Sequence, residues 1–204
     1  MLAPPALAAE RLEIVALGDS LTQGYGLAPG EGLVPQLQRW LDARGAEATI
    51  INAGVSGDTT AGGLARLDWS LGAGTDALIV ALGGNDLLRG LAPETARANL
   101  DRILDGADRR RLPVLLVGLT APGNYGADYK ARFDAIWPDL AARHGALLLP
   151  DLLAPLAALD PAARAREGVL QADQIHPSAR GVTRVVDHLG PAVLDLIART
   201  RAGG

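Results

Sequence analysis

Apolar residues along this chain follow two rhythms. Runs at 12–17, 49–52, 77–82, 114–119 and 146–149 are continuous rather than alternating, the pattern of parallel strands covered on both faces. Between them the apolar positions recur at helical spacing. Leu33, Leu37, Trp40 and Leu41 share one face. From Pro93, which suits a first helical turn, Ala96, Leu100, Ile103, Leu104 and Ala107 form a stripe, while Arg97, Asp101, Arg102, Asp105 and Asp108 face away. A last helix from about Ser178 carries Val182, Val185, Val186, Leu189, Val193, Leu196 and Ile197, and Pro191 predicts a kink in it. The Ala/Leu/Pro-rich segment 152–171 predicts short helical turns over an irregular loop. Alternating strand and helix units give a doubly wound, three-layer α/β/α sandwich on a five-stranded parallel sheet, in the flavodoxin-like order 2-1-3-4-5.

Composition narrows the class. A chain of 204 residues that is 49% hydrophobic is long enough for one well-buried core, so residues 10–204 are expected to be a single domain. Net charge is −4, and Lys130 is the only lysine among scattered arginines. That distribution lacks the basic stripe of a nucleic-acid surface. No apolar stretch approaches the roughly 20 residues that span a bilayer, so no stable membrane insertion is expected. With no cysteine, disulfides and thiolate chemistry are excluded. Residues 1–9 end in Ala6-Leu7-Ala8 before the charged pair Glu10-Arg11. This small-x-small pattern is read as the remnant of a signal peptide, which implies a periplasmic or secreted protein with the cytoplasm as the alternative. Nothing in the composition fixes the oligomeric state.

The chemistry gathers after the strands. Gly18-Asp19-Ser20-Leu21 follows the first, Asn52-Ala53-Gly54-Val55-Ser56-Gly57-Asp58 the second and Gly83-Gly84-Asn85-Asp86 the third. In a parallel sheet these blocks share one carboxyl edge, where such folds bind ligands. Far downstream stands Asp173-Gln174-Ile175-His176-Pro177. Ser20, His176 and Asp173 supply a nucleophile, a general base and a group to orient the base. Acyl transfer also needs donors aimed at a developing oxyanion, and the Ser20 N–H, the Gly54 N–H and the Asn85 side-chain amide are the candidates. Ser178 is a candidate cap for the last helix.

These four blocks, in this order, resemble the SGNH, or GDSL-type, hydrolases. The likeness spans about residues 12–196. Within the family the chain looks most like the bacterial multifunctional thioesterase/protease/lysophospholipase branch and its arylesterase relatives, through Leu82-Gly83-Gly84-Asn85-Asp86, Leu88-Arg89-Gly90 and Gly123-Asn124-Tyr125-Gly126 with Tyr129. The resemblance implies a serine hydrolase of aryl and short- to medium-chain acyl esters, with acyl thioesters or lysophospholipids as further small-molecule substrates and no cofactor. It also implies export to the periplasm.

An isolated Gly-Asp-Ser is usually a turn with a capping serine. Asp19, Asp58 and Asp86 are read as caps and turn anchors before helices rather than metal ligands, and no metal is assigned. His144 suits a helix C-terminus, and His188 needs no catalytic role. Leu87, Leu88, Leu91 and Tyr125, with parts of 152–159 and 121–125, could line an acyl pocket or be ordinary core. A phosphorelay receiver would need a lysine after the fifth strand, and nucleotide or flavin binding would need a Gly-rich phosphate cradle. Neither is present. A classical α/β-hydrolase would need Gly-x-Ser-x-Gly around the nucleophile. Two alternatives stay open here: a glycan O-deacetylase, expected to show an open polar cleft, and a pseudoenzyme that binds lipid or glycan without turnover.

Overall fold

The computed structural model of this chain describes residues 11–203; the expected leader remnant at 1–9 lies outside them. The element order is β1 (Leu12–Gly18), α1 (Ser20–Gln23), α2 (Leu33–Asp42), β2 (Ala48–Gly54), α3 (Thr60–Ala65), α4 (Leu67–Ser70), β3 (Ala77–Ala81), α5 (Gly84–Leu88), α6 (Pro93–Arg109), β4 (Val114–Val117), α7 (Ala127–Asp134), α8 (Ile136–His144), β5 (Leu147–Leu149), α9 (Ala154–Ala157), α10 (Pro161–Glu167) and α11 (Ala179–Gly203). The sheet has five strands in the order β2-β1-β3-β4-β5, every pair parallel. That is the topology expected from the sequence.

Alternation along each strand divides the core between the two faces. Ile14 and Ala16 of β1, Ile79 of β3 and Leu115 of β4 pack with Leu37 and Leu41 of α2 and Val185, Val193 and Leu196 of α11. Val15 and Leu17, Leu78 and Val80, and Leu116 turn the other way, against Leu100, Ile103 and Leu104 of α6 and Ile136, Trp137 and Leu140 of α8. Because helices cover both faces, the central strands read as unbroken apolar runs. β2 departs from that expectation. At the sheet edge it buries Ala48 and Ile50 but exposes Thr49 and Ile51, so it alternates in the manner of a half-covered strand.

Local signals set the helix ends. Pro93 opens α6, with Glu94 in its first turn and Arg109 in its last, matching the helix dipole. Asp160 caps α10 through the Ala163 N–H, with Pro161 at the first position. The final helix runs through Pro191 as one element, with that proline on its exposed side. Segment 152–171 folds as predicted into the two short helices α9 and α10. No helix among the described residues is long and apolar enough to cross a membrane.

His144 ends α8 ahead of a left-handed Gly145. Its ring is sandwiched between two carboxylates of α6, with Nδ1 2.6 Å from Asp108 and Nε2 2.8 Å from Asp101. Burial disfavours its charge, but the two hydrogen bonds outweigh that and the net shift is upward. A raised histidine stabilises the fold fully below its unfolded value of about 6.5, and the contribution fades as pH rises through the higher folded value. Replacement by glutamine, His144→Gln, should therefore lower the melting temperature by about 2–4 °C in mildly acidic buffer, and by less at alkaline pH. Calorimetric scans of both proteins across pH check this; a deficit constant with pH would refute the titration argument.

Candidate active site

Ser20 is delivered by β1. The strand stops at Gly18, Asp19 turns the chain, and Ser20 is the first residue of α1. The Asp19 carboxylate caps this helix, accepting from the Leu21 N–H at 3.0 Å. A Cβ at Gly18 would stand 2.0 Å from Thr22 Oγ1, so only glycine lets α1 fold back this tightly onto the strand end.

Asp173 and His176 arrive on the loop between α10 and α11. An antiparallel bridge between Leu170 and Pro177 closes that loop, and the Gln171 N–H donates to the His176 carbonyl at 2.8 Å. Gln174 takes a left-handed φ of 60° to make the bend, a conformation non-glycine residues seldom adopt. Ser178 then caps α11, its hydroxyl accepting from the Gly181 N–H.

The three side chains meet. His176 Nε2 lies 2.9 Å from Ser20 Oγ, and Nδ1 lies 2.7 Å from Asp173 Oδ2. Asp173 Oδ1 accepts from the backbone N–H groups of Ile175 at 2.9 Å and His176 at 3.0 Å. One carboxylate thus orients both the imidazole and the loop that carries it. These bonds, the backbone donors His176 and Ile175 first and the imidazole next, hold Asp173 down to about 2, so it stays ionised across the working range of a histidine base.

The oxyanion candidates fare unequally. Asn85, in the first turn of α5, turns its Nδ2 toward the loop after β2, donating to the Asp58 carbonyl at 2.9 Å; a primary amide has a second hydrogen free to donate. Gly54 does not fit the role expected of it. Its N–H is spent on Asn52 Oδ1 at 2.9 Å, and a Cβ there would come within 2.3 Å of Gln23 N. The residue is glycine because β2 and α1 touch. Three residues on, Gly57 has a left-handed φ of 84° and its carbonyl is held by Arg89 at 2.8 Å. Its N–H has no acceptor among the described residues, and it adjoins the peptide that receives Asn85. The sequence offered a signal for this position, since glycine in a loop is a candidate for positive φ, but strand-end counting favoured the earlier glycine.

Three acids surround the site without forming a metal cradle. Asp58 pairs with Arg66 at 2.6 Å, and Arg66 also donates to the Gly18 carbonyl at 2.9 Å, tying the loop after β2 to the end of β1. Asp86 is not a residue preceding a helix, as expected, but lies inside α5, buried, where it accepts from the Thr60 N–H at 2.8 Å and hydroxyl at 2.7 Å and anchors the start of α3. Asp19 is 3% exposed. Its burial pushes its pKa up to about 6, the Leu21 N–H and His176 pulling the other way. Asp105, Asp108 and His144 do offer ligand atoms within 4.8 Å of one another, but they lie toward the C-terminal end of α6 and the end of α8, at the opposite edge of the sheet. The ring nitrogens of His144 are already occupied by Asp101 and Asp108.

Beside Ser20 and His176 opens a cleft of about 430 Å³ walled mainly by Leu21, Leu87, Leu88, Leu119, Pro122, Leu153, Ala157 and Ile175. Leu87 and Leu88 line it as expected. Leu91 and Tyr125 do not: the Tyr125 ring packs on Tyr129, whose hydroxyl donates to the Leu91 carbonyl at 2.9 Å. Leu119 and Ile175 escaped sequence reasoning because each looks like the tail of a strand or a loop filler. The loop of Ala121 and Pro122 is braced by Asp134 and Lys130, which bond the N–H and carbonyl of Ala121.

The sequence pattern of the GDSL-like lipase/acylhydrolase family matches residues 16–184. Esterase TesA of Pseudomonas aeruginosa is 37% identical over 185 residues, covering 90% of this chain and 89% of that protein. The thioesterase 1/protease 1/lysophospholipase L1 of Escherichia coli K12 is 33% identical over 185 residues, covering 90% of this chain and 84% of its own length. Among solved structures, AlinE4, an SGNH-hydrolase family esterase, superposes with a TM-score of 0.75 at 45% identity, covering 93% of this chain and 98% of its own. The crystal structure of TesA gives a TM-score of 0.81 at 34% identity, covering 90% and 99%.

The buried Asp19 generates a prediction. Its folded value of about 6 exceeds its ordinary 3.8, so its ionisation is more costly in the folded state, and stability should fall as pH rises between those values. The size is about 3 kcal/mol. In Asp19→Asn, which keeps a capping oxygen and removes the charge, melting curves from about pH 4 to pH 6.5 should lose that downward component. Parallel pH profiles for the two proteins would contradict it.

Proposed function

The chain belongs to the GDSL-like lipase/acylhydrolase family and is an ester-hydrolysing serine hydrolase; from that premise we propose that Ser20 is its nucleophile, His176 its general acid and base, and Asp173 the residue that orients His176. The observation carrying this reading is the unbroken line from Asp173 Oδ2 through both imidazole nitrogens to Ser20 Oγ, at 2.7 and 2.9 Å. His176 takes the Ser20 proton as Oγ attacks the acyl carbonyl. The tetrahedral oxyanion is received by the N–H of Ser20, the N–H of Gly57 and the amide of Asn85. Collapse expels the alcohol, protonated by His176, and leaves an acyl-enzyme; water activated by the same imidazole then releases the acid.

The cleft walls are mainly apolar, with Thr120 and Asp151 among the few polar side chains, which favours an aliphatic acyl chain or an aromatic leaving group over an acetylated sugar, most of whose hydroxyls would lose water without gaining a partner. Aryl esters and short- to medium-chain acyl esters are therefore the proposed substrates, with acyl thioesters and lysophospholipids alongside them. An intact triad gives no support to a binding protein without turnover. We take residues 10–204 as the catalytic unit, and residues 1–9 as a leader remnant that would send the protein to the periplasm or outside the cell.

Ser20→Ala should reduce kcat on nitrophenyl esters by about 10⁴- to 10⁶-fold while leaving the circular dichroism spectrum unchanged. Retained turnover would reject the assignment. Asn85→Ala should cost about 10²- to 10³-fold in kcat with little change in KM, the mark of a donor that engages the transition state. A panel crossing acyl length with leaving group, from acetyl to dodecanoyl as aryl ester, coenzyme A thioester and lysophospholipid, with an acetylated xylan as the glycan arm, tests the substrate reading. Preference for the glycan would overturn it.

A further inference from the structure

We propose that Tyr25 is a positioning residue for His176, its ring holding the plane of the imidazole so that Nε2 stays aimed at Ser20; this rests on the assignment of His176 as the base. The two in-plane hydrogen bonds of His176 fix the line joining its nitrogens but leave the ring free to rock about that line, and the terminal torsion of histidine is intrinsically broad. A bulky ring packed against the imidazole restricts that rocking. The Tyr25 ring packs there at a tilt, with centroids 4.9 Å apart and planes 42° from parallel, within the range of favourable aromatic contacts.

Two hydrogen bonds of its backbone tie Tyr25 to both halves of the machinery, the second by way of Gln171. Its backbone N–H donates to the Ser20 carbonyl at 3.1 Å, just after the left-handed turn at Gly24 that ends α1. Its own carbonyl accepts from Gln171 Nε2 at 2.8 Å. Gln171 in turn bonds the His176 carbonyl through its backbone N–H, at 2.8 Å, and the Pro177 carbonyl through its side chain, at 3.0 Å. Nucleophile and base are separated by more than 150 positions, and Tyr25 touches the segment of each. Its hydroxyl makes no hydrogen bond among the described residues and its surface is 51% exposed, so the contact with His176 is made by the ring and not by the hydroxyl.

The test is steady-state kinetics on a short aryl ester too small to reach Tyr25's exposed edge. Tyr25→Ala should lower kcat by roughly 10- to 100-fold, as a slightly misaimed base does, with KM within about twofold. Tyr25→Phe, which keeps the ring and drops the unbonded hydroxyl, should return kcat to within about twofold of the original. Unchanged kcat in Tyr25→Ala, a change confined to KM, or a Tyr25→Phe variant as slow as the alanine would each overturn the proposal, the second because it would make Tyr25 a substrate contact. Thermal melts accompany each variant, and if Tyr25→Ala does not fold, Tyr25→Leu, with apolar bulk but no flat ring, carries the comparison. His176→Ala measured in parallel separates the two levels: if it retains turnover the base assignment fails, whereas if it is dead while Tyr25→Ala is fully active only the positioning role fails.

Discussion

A parallel sheet buried on both faces sends the carboxyl end of every strand to one rim, and the chemistry of this protein depends on that constraint. β1 runs into Ser20, β2 into the loop of Gly57, and β3 into Asn85, with β1 paired between the other two. Strand order therefore sets the proposed nucleophile and oxyanion donors side by side before any of their own hydrogen bonds form. The rim is then locked by polar ties that cross it. Arg66 joins Asp58 to the Gly18 carbonyl, Asp86 holds Thr60, and Asn85 reaches the Asp58 carbonyl. Each tie links blocks from different strands, so the geometry of the site is a property of the sheet edge rather than of one loop.

Histidine and aspartate come from elsewhere and need their own support. Their loop carries a left-handed Gln174, a conformation that costs about 1 kcal/mol or more and persists only when surroundings over-determine it. The bridge between Leu170 and Pro177 and the two donors onto Asp173 Oδ1 supply that over-determination. The loop is also tied to the turn after α1 through Gln171 and Tyr25, so the segments of Ser20 and His176 are connected by more than the Ser20–His176 bond.

What the sequence revealed follows the same division. Buried parallel strands announce themselves as apolar runs, and the blocks after them carry residue types that only a few chemistries require, so the sheet order and the meeting of Ser20, Asp173 and His176 beside Asn85 could be read in advance. Positions defined by backbone direction could not. Gly54 and Gly57 are the same residue type three positions apart, and backbone direction separates them: the N–H of one faces Asn52, while that of the other, at a left-handed φ, has no acceptor among the described residues. The pocket wall shows the same limit. Leu87 and Leu91 look alike in a helix-turn pattern, yet the turn at Gly90, with φ 61°, carries Leu91 away toward Tyr129. Tyr25 gave no sign at all, because a stacking partner 151 residues distant leaves no local periodicity.

Two carboxylates near Ser20 are driven in opposite directions by their surroundings, and this separates their functions. Asp173 is exposed and receives three hydrogen bonds, two from backbone and one from the imidazole, which hold it at about 2; it is an anion whenever the imidazole must become a cation. Asp19 is enclosed and receives one backbone donor at a helix start, and burial lifts it to about 6. An enclosed acid is a poor orienter of a base, because burial penalises the very charge that an imidazolium needs beside it. It is a good cap, because either protonation state leaves an oxygen to accept the Leu21 N–H. Pushed-apart carboxylates are how acid and base roles are ordinarily told apart. Here the same logic distinguishes Asp173, an anion placed to serve the imidazole, from Asp19, an acid that holds the helix of Ser20 in place in either protonation state.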